Sequence, residues 1–280
     1  MKGPRASAAL LVSVLVFAAA AAGAPSSAWA DGEEPGSLAW CELLTLDAVK
    51  AAEFYRGLFG WEIERDAPGK YQISHHGKLI AGITEIRNAD PEVDESTWLV
   101  GVSVDNVRAA VDAARDKGGQ VLVDVSTGQR GVPWAVVEDH QGAQLLLLTP
   151  ANPRETGPES GHWVWTELWT TDPGAAADFY GAVVGWTTKD TDNRDGGYPA
   201  FYTGNDARAG LIEISGELVS PGWAPYVGVT DLKATLARAT DLGGRILLAP
   251  RDDIYDGRAA ILADPTGVGF LVYEIEEESR

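Results

Sequence analysis

The stretch that decides the fold is residues 40–47, WCELLTLD, because it returns 125 residues later as residues 165–172, WTELWTTD. In both copies, side chains of different character alternate until the stretch ends in an aspartate. A period of two is typical of a β-strand whose two faces meet different surroundings, and aspartate is a preferred residue at the start of a helix. The stretch therefore predicts a strand followed at once by a helix, twice in the chain.

The same offset relates residues far beyond this stretch. It carries Phe54-Tyr55 onto Phe179-Tyr180, Gly60-Trp61 onto Gly185-Trp186, Gly118-Gly119 onto Gly243-Gly244, and Asp139 and Gly142 onto Asp264 and Gly267. Agreement of spacing over such a length indicates a duplicated unit. We divide the chain into a first module at residues 36–150, a linker at 151–160 that contains prolines and a glycine, and a second module at 161–275.

Periodicity predicts the other elements of each module. After the first strand we expect a helix that ends at Gly60 or Gly185, then a hairpin, a strand, a second helix that ends at a Gly-Gly pair, and three closing strands. In the first module the hairpin and the elements after it are expected at Tyr71–Ser74, Leu79–Ile86, Trp98–Val104, Val107–Lys117, Gln120–Val125, Trp134–Val137 and Gln144–Thr149. In the second module the elements after the hairpin are expected at Tyr226–Thr230, Leu232–Leu242, Arg245–Leu248, Ala259–Leu262 and Gly269–Tyr273.

Residues 1–30 have the features of a secretory signal peptide. Lys2 and Arg5 precede an apolar run at Ala6–Ala22, and small residues surround a cleavage site after Ala30. We expect a secreted, extracellular protein with no membrane contact once the signal is removed.

The composition is that of an acidic globular protein, 45% hydrophobic and 22% charged, with 22 basic and 41 acidic residues. Residues 1–30 hold two of the basic residues and no acidic one, so their removal leaves 20 basic and 41 acidic residues, a net charge of −21. Such a charge opposes binding to nucleic acid phosphates. The single cysteine, Cys41, excludes an intrachain disulfide, and its strand position predicts that it packs against the helices.

These motifs resemble the vicinal oxygen chelate superfamily, which includes glyoxalase I, bleomycin-resistance proteins and extradiol dioxygenases. The resemblance rests on the strand that ends in aspartate, the Phe-Tyr helix, the Gly-Trp pair after it and the Asp264-Pro265-Thr266-Gly267 turn. It covers residues 36–275. It implies an α+β fold in which tandem βαβββ modules form two facing curved sheets around a cup, with the helices outside.

In enzymes of this superfamily the cup usually holds a divalent metal, bound by side chains of the first and last strands. The resemblance assigns these ligand positions to Trp40, Leu146, Trp165 and Leu271. None of these side chains offers a lone pair suited to such a cation. We therefore expect no metal and no cofactor at the inherited site, and whether any enzymatic activity survives stays open.

Four histidines could supply a different metal site. His75 and His76 lie at the predicted hairpin turn, His140 in the last turn of the first module and His162 near the linker. Their counterparts in the second module are not histidine. We interpret all four as surface residues without a metal role.

Glu42 and Glu167 each follow a tryptophan by two residues, so the carboxylate and the indole share one strand face. We therefore place both carboxylates in the cup. Two interpretations stay open: each forms a buried hydrogen bond or an ion pair with an arginine at the module junction, or each contacts a ligand as an acid or a base.

Five tryptophans fall on strands that we expect to line the cup: Trp40, Trp98, Trp134, Trp165 and Trp169. Indole faces stack on planar or cationic organic groups, each contact contributing about 0.5–1.5 kcal/mol beyond the burial of apolar area. The alternative is that these side chains fill a cup that no longer holds a metal.

The leading hypothesis is an exported, metal-independent protein of the glyoxalase and bleomycin-resistance type that binds a small planar or cationic organic molecule. Its ligand-binding candidates are Trp40, Glu42, Trp98, Trp134, Trp165, Glu167 and Trp169. The alternative is a metal-dependent lyase or dioxygenase whose rearranged metal site uses Glu42 and Glu167. A third hypothesis is a structural or interaction protein with an empty cup. Both a monomer and a homodimer are consistent with the sequence.

Overall fold

The computed structural model describes residues 34–86, 96–127, 132–149, 159–190, 198–216 and 219–276. The predicted signal peptide and most of the predicted linker lie outside these ranges. Within them, no helix combines the length and the apolar character needed to span a membrane.

The two modules repeat one order of elements. The first contains β1 (Leu38–Thr45), α1 (Ala48–Phe59), β2 (Glu62–Ala67), β3 (Lys70–His75), β4 (Lys78–Glu85), β5 (Thr97–Ser103), α2 (Val107–Asp116), β6 (Gln120–Thr127), β7 (Pro133–Glu138) and β8 (Gln144–Leu148). The second contains β9 (Trp163–Thr170), α3 (Pro173–Val184), β10 (Thr187–Asp190), β11 (Pro199–Thr203), β12 (Asp206–Glu213), β13 (Gly222–Val229), α4 (Leu232–Asp241), β14 (Arg245–Leu248), a 3-10 turn (Tyr255–Gly257), β15 (Ala259–Ala263) and β16 (Gly269–Glu274).

Each module forms one eight-stranded mixed sheet, ordered β2-β3-β4-β1-β5-β8-β7-β6 and β10-β11-β12-β9-β13-β16-β15-β14. β1 pairs in parallel with β4 and antiparallel with β5, and β5 pairs in parallel with β8. The second sheet uses β9, β12, β13 and β16 in the same way. Each sheet is therefore two βαβββ units joined side by side. This confirms the predicted α+β class with two sheet modules.

The first helix of each module begins and ends where the repeat predicts. The Asp47 carboxylate accepts from the Lys50 backbone N–H at 3.0 Å, and Asp172 caps α3 in the same way at 3.0 Å. Gly60 and Gly185 end the helices with φ of 71° and 85°, a left-handed conformation that glycine adopts without steric cost.

Strand β2 is one element that the sequence did not predict. Of its six residues only Ile63 is buried, and the strand forms one edge of the first sheet. An edge strand that faces solvent needs few apolar side chains and often carries charges. The apolar periodicity that identifies buried strands is therefore weak at β2.

The largest apolar core draws on both modules and on all four helices. Cys41 and Leu43 of β1 belong to it, which confirms the expected place of Cys41 against the helices. Trp40, Glu42 and Leu44 alternate with these residues and lie on the opposite side of the sheet, which we call the first helix-free face. Its counterpart in the second sheet, with Trp165, Glu167 and Trp169, is the second helix-free face. Each helix-free face has a small apolar cluster of its own.

Matching hydrogen bonds join the two modules. The Trp61 indole N–H donates to the Gly161 carbonyl at 2.7 Å, and its counterpart Trp186 donates to the Gly36 carbonyl at 3.1 Å. Trp61 and Trp186 are 125 residues apart, and so are Gly36 and Gly161. The same contact therefore occurs twice, once with the indole from the first module and once with the indole from the second. The conserved spacing of the repeat is thus also the spacing of an approximately two-fold junction between the modules.

Candidate functional site

Glu42 is a buried carboxylate on the first helix-free face, with 1% of its surface exposed. The Trp40 indole N–H donates to Oε2 at 2.9 Å, and the Thr84 hydroxyl donates to Oε1 at 2.7 Å. Gly82 of the neighbouring strand leaves room for it, because a Cβ there would lie 2.3 Å from Oε2. Residues of β1 and β4 therefore enclose both carboxylate oxygens.

Burial raises the pKa of Glu42 to about 7, since the charged form loses its hydration. The hydrogen bonds from Trp40 and Thr84 and the positive charge of Lys70 act in the opposite direction and are weaker. The carboxyl group can therefore exchange a proton near neutral pH, which is the property expected of a general acid or base.

Glu167 is the equivalent carboxylate on the second helix-free face, and it has more partners. The Tyr226 hydroxyl donates to Oε2 at 2.6 Å and the Trp169 indole N–H to the same atom at 3.1 Å. The Tyr255 hydroxyl donates to Oε1. Tyr198 extends the network, with its hydroxyl 3.3 Å from that of Tyr255. An aromatic shell thus surrounds the second glutamate.

This shell leads from the buried carboxylate towards the surface. Glu167 and Tyr226 are buried, whereas Trp165, Trp169, Tyr198, Tyr255 and Tyr273 are all half-buried. The Tyr255 ring meets those of Tyr226 and Tyr273 edge to face, with centroids 6.1 and 5.7 Å apart. The half-buried rings therefore expose part of their faces and edges close to the Tyr255 hydroxyl.

Burial also sets the protonation of the second cluster. It raises the pKa of Glu167, and together with the glutamate's charge it raises the pKa of both Tyr226 and Tyr255. Burial raises the pKa of Tyr198 to about 12. The three hydroxyls therefore keep their protons near neutral pH, and those of Tyr226 and Tyr255 donate to the carboxylate.

An unusual turn delivers Tyr255 to Glu167. Tyr255 and Asp256 have φ of 50° and 52°, so two successive non-glycine residues adopt the left-handed conformation. Each such residue costs roughly 1–3 kcal/mol unless surrounding contacts stabilise it. At Tyr255, the hydrogen bond to Glu167 and the ring contacts offset this cost. No sequence motif indicated this residue, because the turn lies between the predicted strands.

The structure distributes the predicted tryptophans over both sides of the sheets. Trp40 belongs to the first helix-free face, and Trp165 and Trp169 belong to the second. Trp134 also lies on the first helix-free face, where it is buried in the apolar cluster.

Trp98 does not lie on a helix-free face, contrary to the expectation that its strand turns it towards the cup. It pairs with Leu43 across the sheet, which puts it on the side of the helices. Its indole N–H donates to the Tyr55 hydroxyl at 2.9 Å, and its ring packs 4.9 Å from that of Trp163. Trp98 is a residue of the core between the modules.

The partners of the two glutamates also differ from expectation. Hydrogen bonds hold both carboxylates, as one interpretation proposed, but the donors are indole and hydroxyl groups rather than an arginine. The donors to Glu42 come from the first module and those to Glu167 from the second. The two carboxylates therefore form separate clusters, one on each sheet, instead of lining one cup together.

Family models match both modules. Residues 37–147 match the Glyoxalase/Bleomycin resistance protein/Dioxygenase superfamily, and residues 164–273 match a glyoxalase-like domain. The chain belongs to this superfamily.

Relatives that align with most of the chain support the assignment of this glyoxalase-like protein to the superfamily. A Mycobacterium tuberculosis protein named "Putative glyoxylase CFP32" is 34% identical over 251 residues, which span 85% of this chain and 94% of the relative. The anthracycline biosynthesis protein DnrV of Streptomyces peucetius is 32% identical over 261 residues, which span 87% and 94%.

Solved structures share the fold at low sequence identity. The Mn(II)-bound glyoxalase from Novosphingobium aromaticivorans is 11% identical, with a TM-score of 0.58 over 85% of this chain and 82% of its own. The 2,3-dioxygenase LapB from Pseudomonas sp. KL28 is also 11% identical, with a TM-score of 0.58 over 89% and 95%. At this identity the likeness concerns the fold alone.

The residues of this glyoxalase-like protein do not fit the metal that the superfamily implies. Leu146 and Leu271 lie in the apolar clusters of the two helix-free faces, beside Trp40 and Trp165 respectively. The nearby carboxylate oxygens already accept from N–H and O–H donors. An ion at either inherited position would lack ligands with suitable lone pairs.

Three of the four histidines, however, come together elsewhere. His75, His76 and His162 bring their ligand atoms within 4.8 Å of one another, and they are the one such group of three found among the described residues. His75 and His162 are half-buried, whereas the sequence indicated that all four histidines lie at the surface. His140 is exposed and lies outside this group.

Proposed function

We propose that this glyoxalase-like protein is exported and binds a small planar organic molecule with a cationic or amino group, without a metal, on the second helix-free face. The observation that carries the proposal is the Glu167 cluster. A buried carboxylate with three donors stands behind a layer of half-buried aromatic rings. A planar ring would stack on this layer while its polar group hydrogen-bonds to Glu167 or Tyr255.

The energetics favour such a ligand. Aromatic stacking contributes about 0.5–1.5 kcal/mol for each ring contact beyond area burial, and a cation over an indole or phenol contributes a similar amount. A hydrogen bond to a charged carboxylate adds about 1.5–3 kcal/mol. The relative DnrV is named for anthracycline biosynthesis, and anthracyclines are planar aromatic compounds. That name supports a planar ligand class here without identifying the ligand.

The first helix-free face is less suited to this role. Trp134, Leu146 and Leu148 are buried there in an apolar cluster, and Glu42 is enclosed by its own strands. Glu42 therefore serves as the internal comparison for Glu167.

The alternative of a metal-dependent enzyme whose ion is shared by Glu42 and Glu167 has less support. Glu42 and Glu167 lie on different sheets, and each carboxylate accepts only from donors of its own module. Two ligands in separate clusters cannot complete one coordination sphere.

Tryptophan fluorescence and calorimetric titration of the purified protein would test the proposal. Suitable probes are daunorubicin and proflavine, which are planar and cationic, with choline as a cation that has no ring. We expect saturable binding of at least one planar probe and weaker binding of choline. Glu167→Gln should weaken the planar probe at least about tenfold, which corresponds to roughly 1.4 kcal/mol.

Glu42→Gln is the matched control, and it should leave the affinity unchanged. Absence of saturable binding by both planar probes would refute the proposed ligand class. Equal weakening by the two substitutions would refute the assignment to the second helix-free face.

A further inference from the structure

A histidine cluster spans the junction between the modules, away from both helix-free faces. His75 ends β3, His76 begins the turn to β4, and His162 directly precedes β9. The rings of His75 and His76 stack with centroids 4.0 Å apart, and that of His162 lies 4.9 Å from His75 edge to face. Two residues of the first module and one of the second therefore converge.

Acceptor groups around the cluster orient the imidazoles. The Ser160 carbonyl lies 3.0 Å from Nε2 of His75. A carbonyl only accepts, so this nitrogen carries the proton, and Nδ1 of the neutral ring keeps a lone pair. This arrangement, in which one ring nitrogen donates to the backbone, is the usual support of a metal-binding histidine.

Glu159 completes the cluster with a carboxylate. Its Oε1 lies 2.8 Å from Nδ1 of His76, and its Oε2 lies 3.5 Å from Nε2 of His162. Gly161, two residues on, approaches His75 so closely that a Cβ would lie 2.6 Å from Nε2. The chain around residues 159–162 is thus shaped to receive the histidines of the hairpin.

At the opposite end of the approximate two-fold junction, the described residues form no such cluster. There Glu34, the counterpart of Glu159, forms an ion pair with Arg208 at 2.7 Å. Thr203, which ends β11 as His75 ends β3, donates to the Pro35 carbonyl at 3.3 Å. Gly204, with φ of 60°, occupies the turn position that His76 holds with φ of 49°. At the Glu34 end of the junction the partner is Arg208, whose guanidinium is permanently charged. At the Glu159 end the partners are imidazoles, which have lone pairs.

We propose that His75, His76 and His162, with Glu159, form a binding site for a divalent transition-metal ion of the Zn²⁺ class that links the two modules. Imidazole and carboxylate are suitable ligands for Zn²⁺, Ni²⁺ and Cu²⁺. A tetrahedral centre with metal–nitrogen bonds of about 2.0–2.1 Å brings its nitrogens to about 3.3 Å from one another. His76 is exposed, so its side chain can make this approach without disturbing the core.

The experiment is a calorimetric titration of tag-free, chelator-treated protein with Zn²⁺ alone, repeated with Co²⁺ for its visible absorption. We expect one Zn²⁺ per chain, a Co²⁺ spectrum typical of tetrahedral nitrogen and oxygen ligands, and an upward shift of the unfolding temperature with Zn²⁺. His76→Gln should abolish tight binding, and Glu159→Gln should weaken it by about 10- to 100-fold.

His140→Gln is the matched control, because it removes a histidine outside the cluster, and it should bind Zn²⁺ like the unsubstituted protein. Far-UV circular dichroism without metal should be the same for all variants, since His76 and Glu159 contribute little to the core. Absence of one-to-one binding, or equal binding by His76→Gln and the unsubstituted protein, would overturn the proposal. Neither result would bear on the ligand site at Glu167, which the probe titrations test separately.

Discussion

The two helix-free faces place a glutamate at the same position of the same strand and surround it differently. On the first face the indole donor is Trp40, two residues before Glu42; on the second it is Trp169, two residues after Glu167. The first carboxylate otherwise receives one hydroxyl, from Thr84, while the second receives two tyrosine hydroxyls. A duplicated fold thus keeps a costly buried carboxylate twice and changes only the side chains that satisfy it.

The largest difference should appear when each carboxylate is replaced by an apolar side chain of similar size. Glu167→Met leaves three donors without their acceptor, whereas Glu42→Met leaves two. Since each buried donor that loses its acceptor costs about 1–3 kcal/mol, we expect Glu167→Met to lower the free energy of unfolding by at least about 3 kcal/mol and Glu42→Met by less, at least about 2 kcal/mol. Urea denaturation measures both values, and a greater loss for Glu42→Met would contradict this account.

The pH dependence of stability should carry the signature of Glu42. Its pKa is raised from 4.5 to about 7 in the folded protein, so the folded state holds its proton to a higher pH than the unfolded state. Raising the pH from about 4.5 to about 7 should therefore lower the free energy of unfolding, by up to about 3 kcal/mol from this group. The difference between unsubstituted protein and Glu42→Gln, measured by denaturation across this range, isolates the contribution. A difference that is flat with pH would refute the raised pKa.

The space for the first carboxylate depends on Gly82. Gly82→Ala would place a Cβ 2.3 Å from Oε2 of Glu42, so the carboxylate must move away from Trp40. Overpacking of this kind costs about 1–3 kcal/mol. Gly222→Ala is a suitable control, because an added Cβ there meets nothing within 4 Å. Thermal unfolding should separate the two variants, and equal stability would show that the carboxylate relaxes without cost.

The smallest effect should come from removal of the Tyr255 hydroxyl, a half-buried donor to Glu167 without a counterpart among the described donors to Glu42. Tyr255→Phe removes one hydrogen bond to Glu167 at a half-buried position, which costs about 1 kcal/mol. It should also raise the pKa of Glu167 further, because that hydrogen bond stabilises the charged form. Urea denaturation at several pH values would detect both changes. An unchanged stability would indicate that water replaces the hydroxyl.

Local patterns predicted the parts of the site that lie on one strand. The period of two placed Trp40 and Glu42 on one side of β1 and Cys41 on the other, as the structure has them. The same reasoning failed for Trp98, because nothing local specifies which side of β5 faces the helices. That side is decided by its register with β1.

The sequence by itself determined the duplication and the helix caps at Asp47 and Asp172, which follow from spacing and from the chemistry of single side chains. Its resemblance to the superfamily implied the α+β class and placed apolar side chains at the inherited metal positions. Only the tertiary structure decided that Thr84, Tyr226 and Tyr255 satisfy the glutamates and that His75 meets His162. Such partners come from elements far apart in the chain, and their distances depend on sheet register and on how the two modules pack.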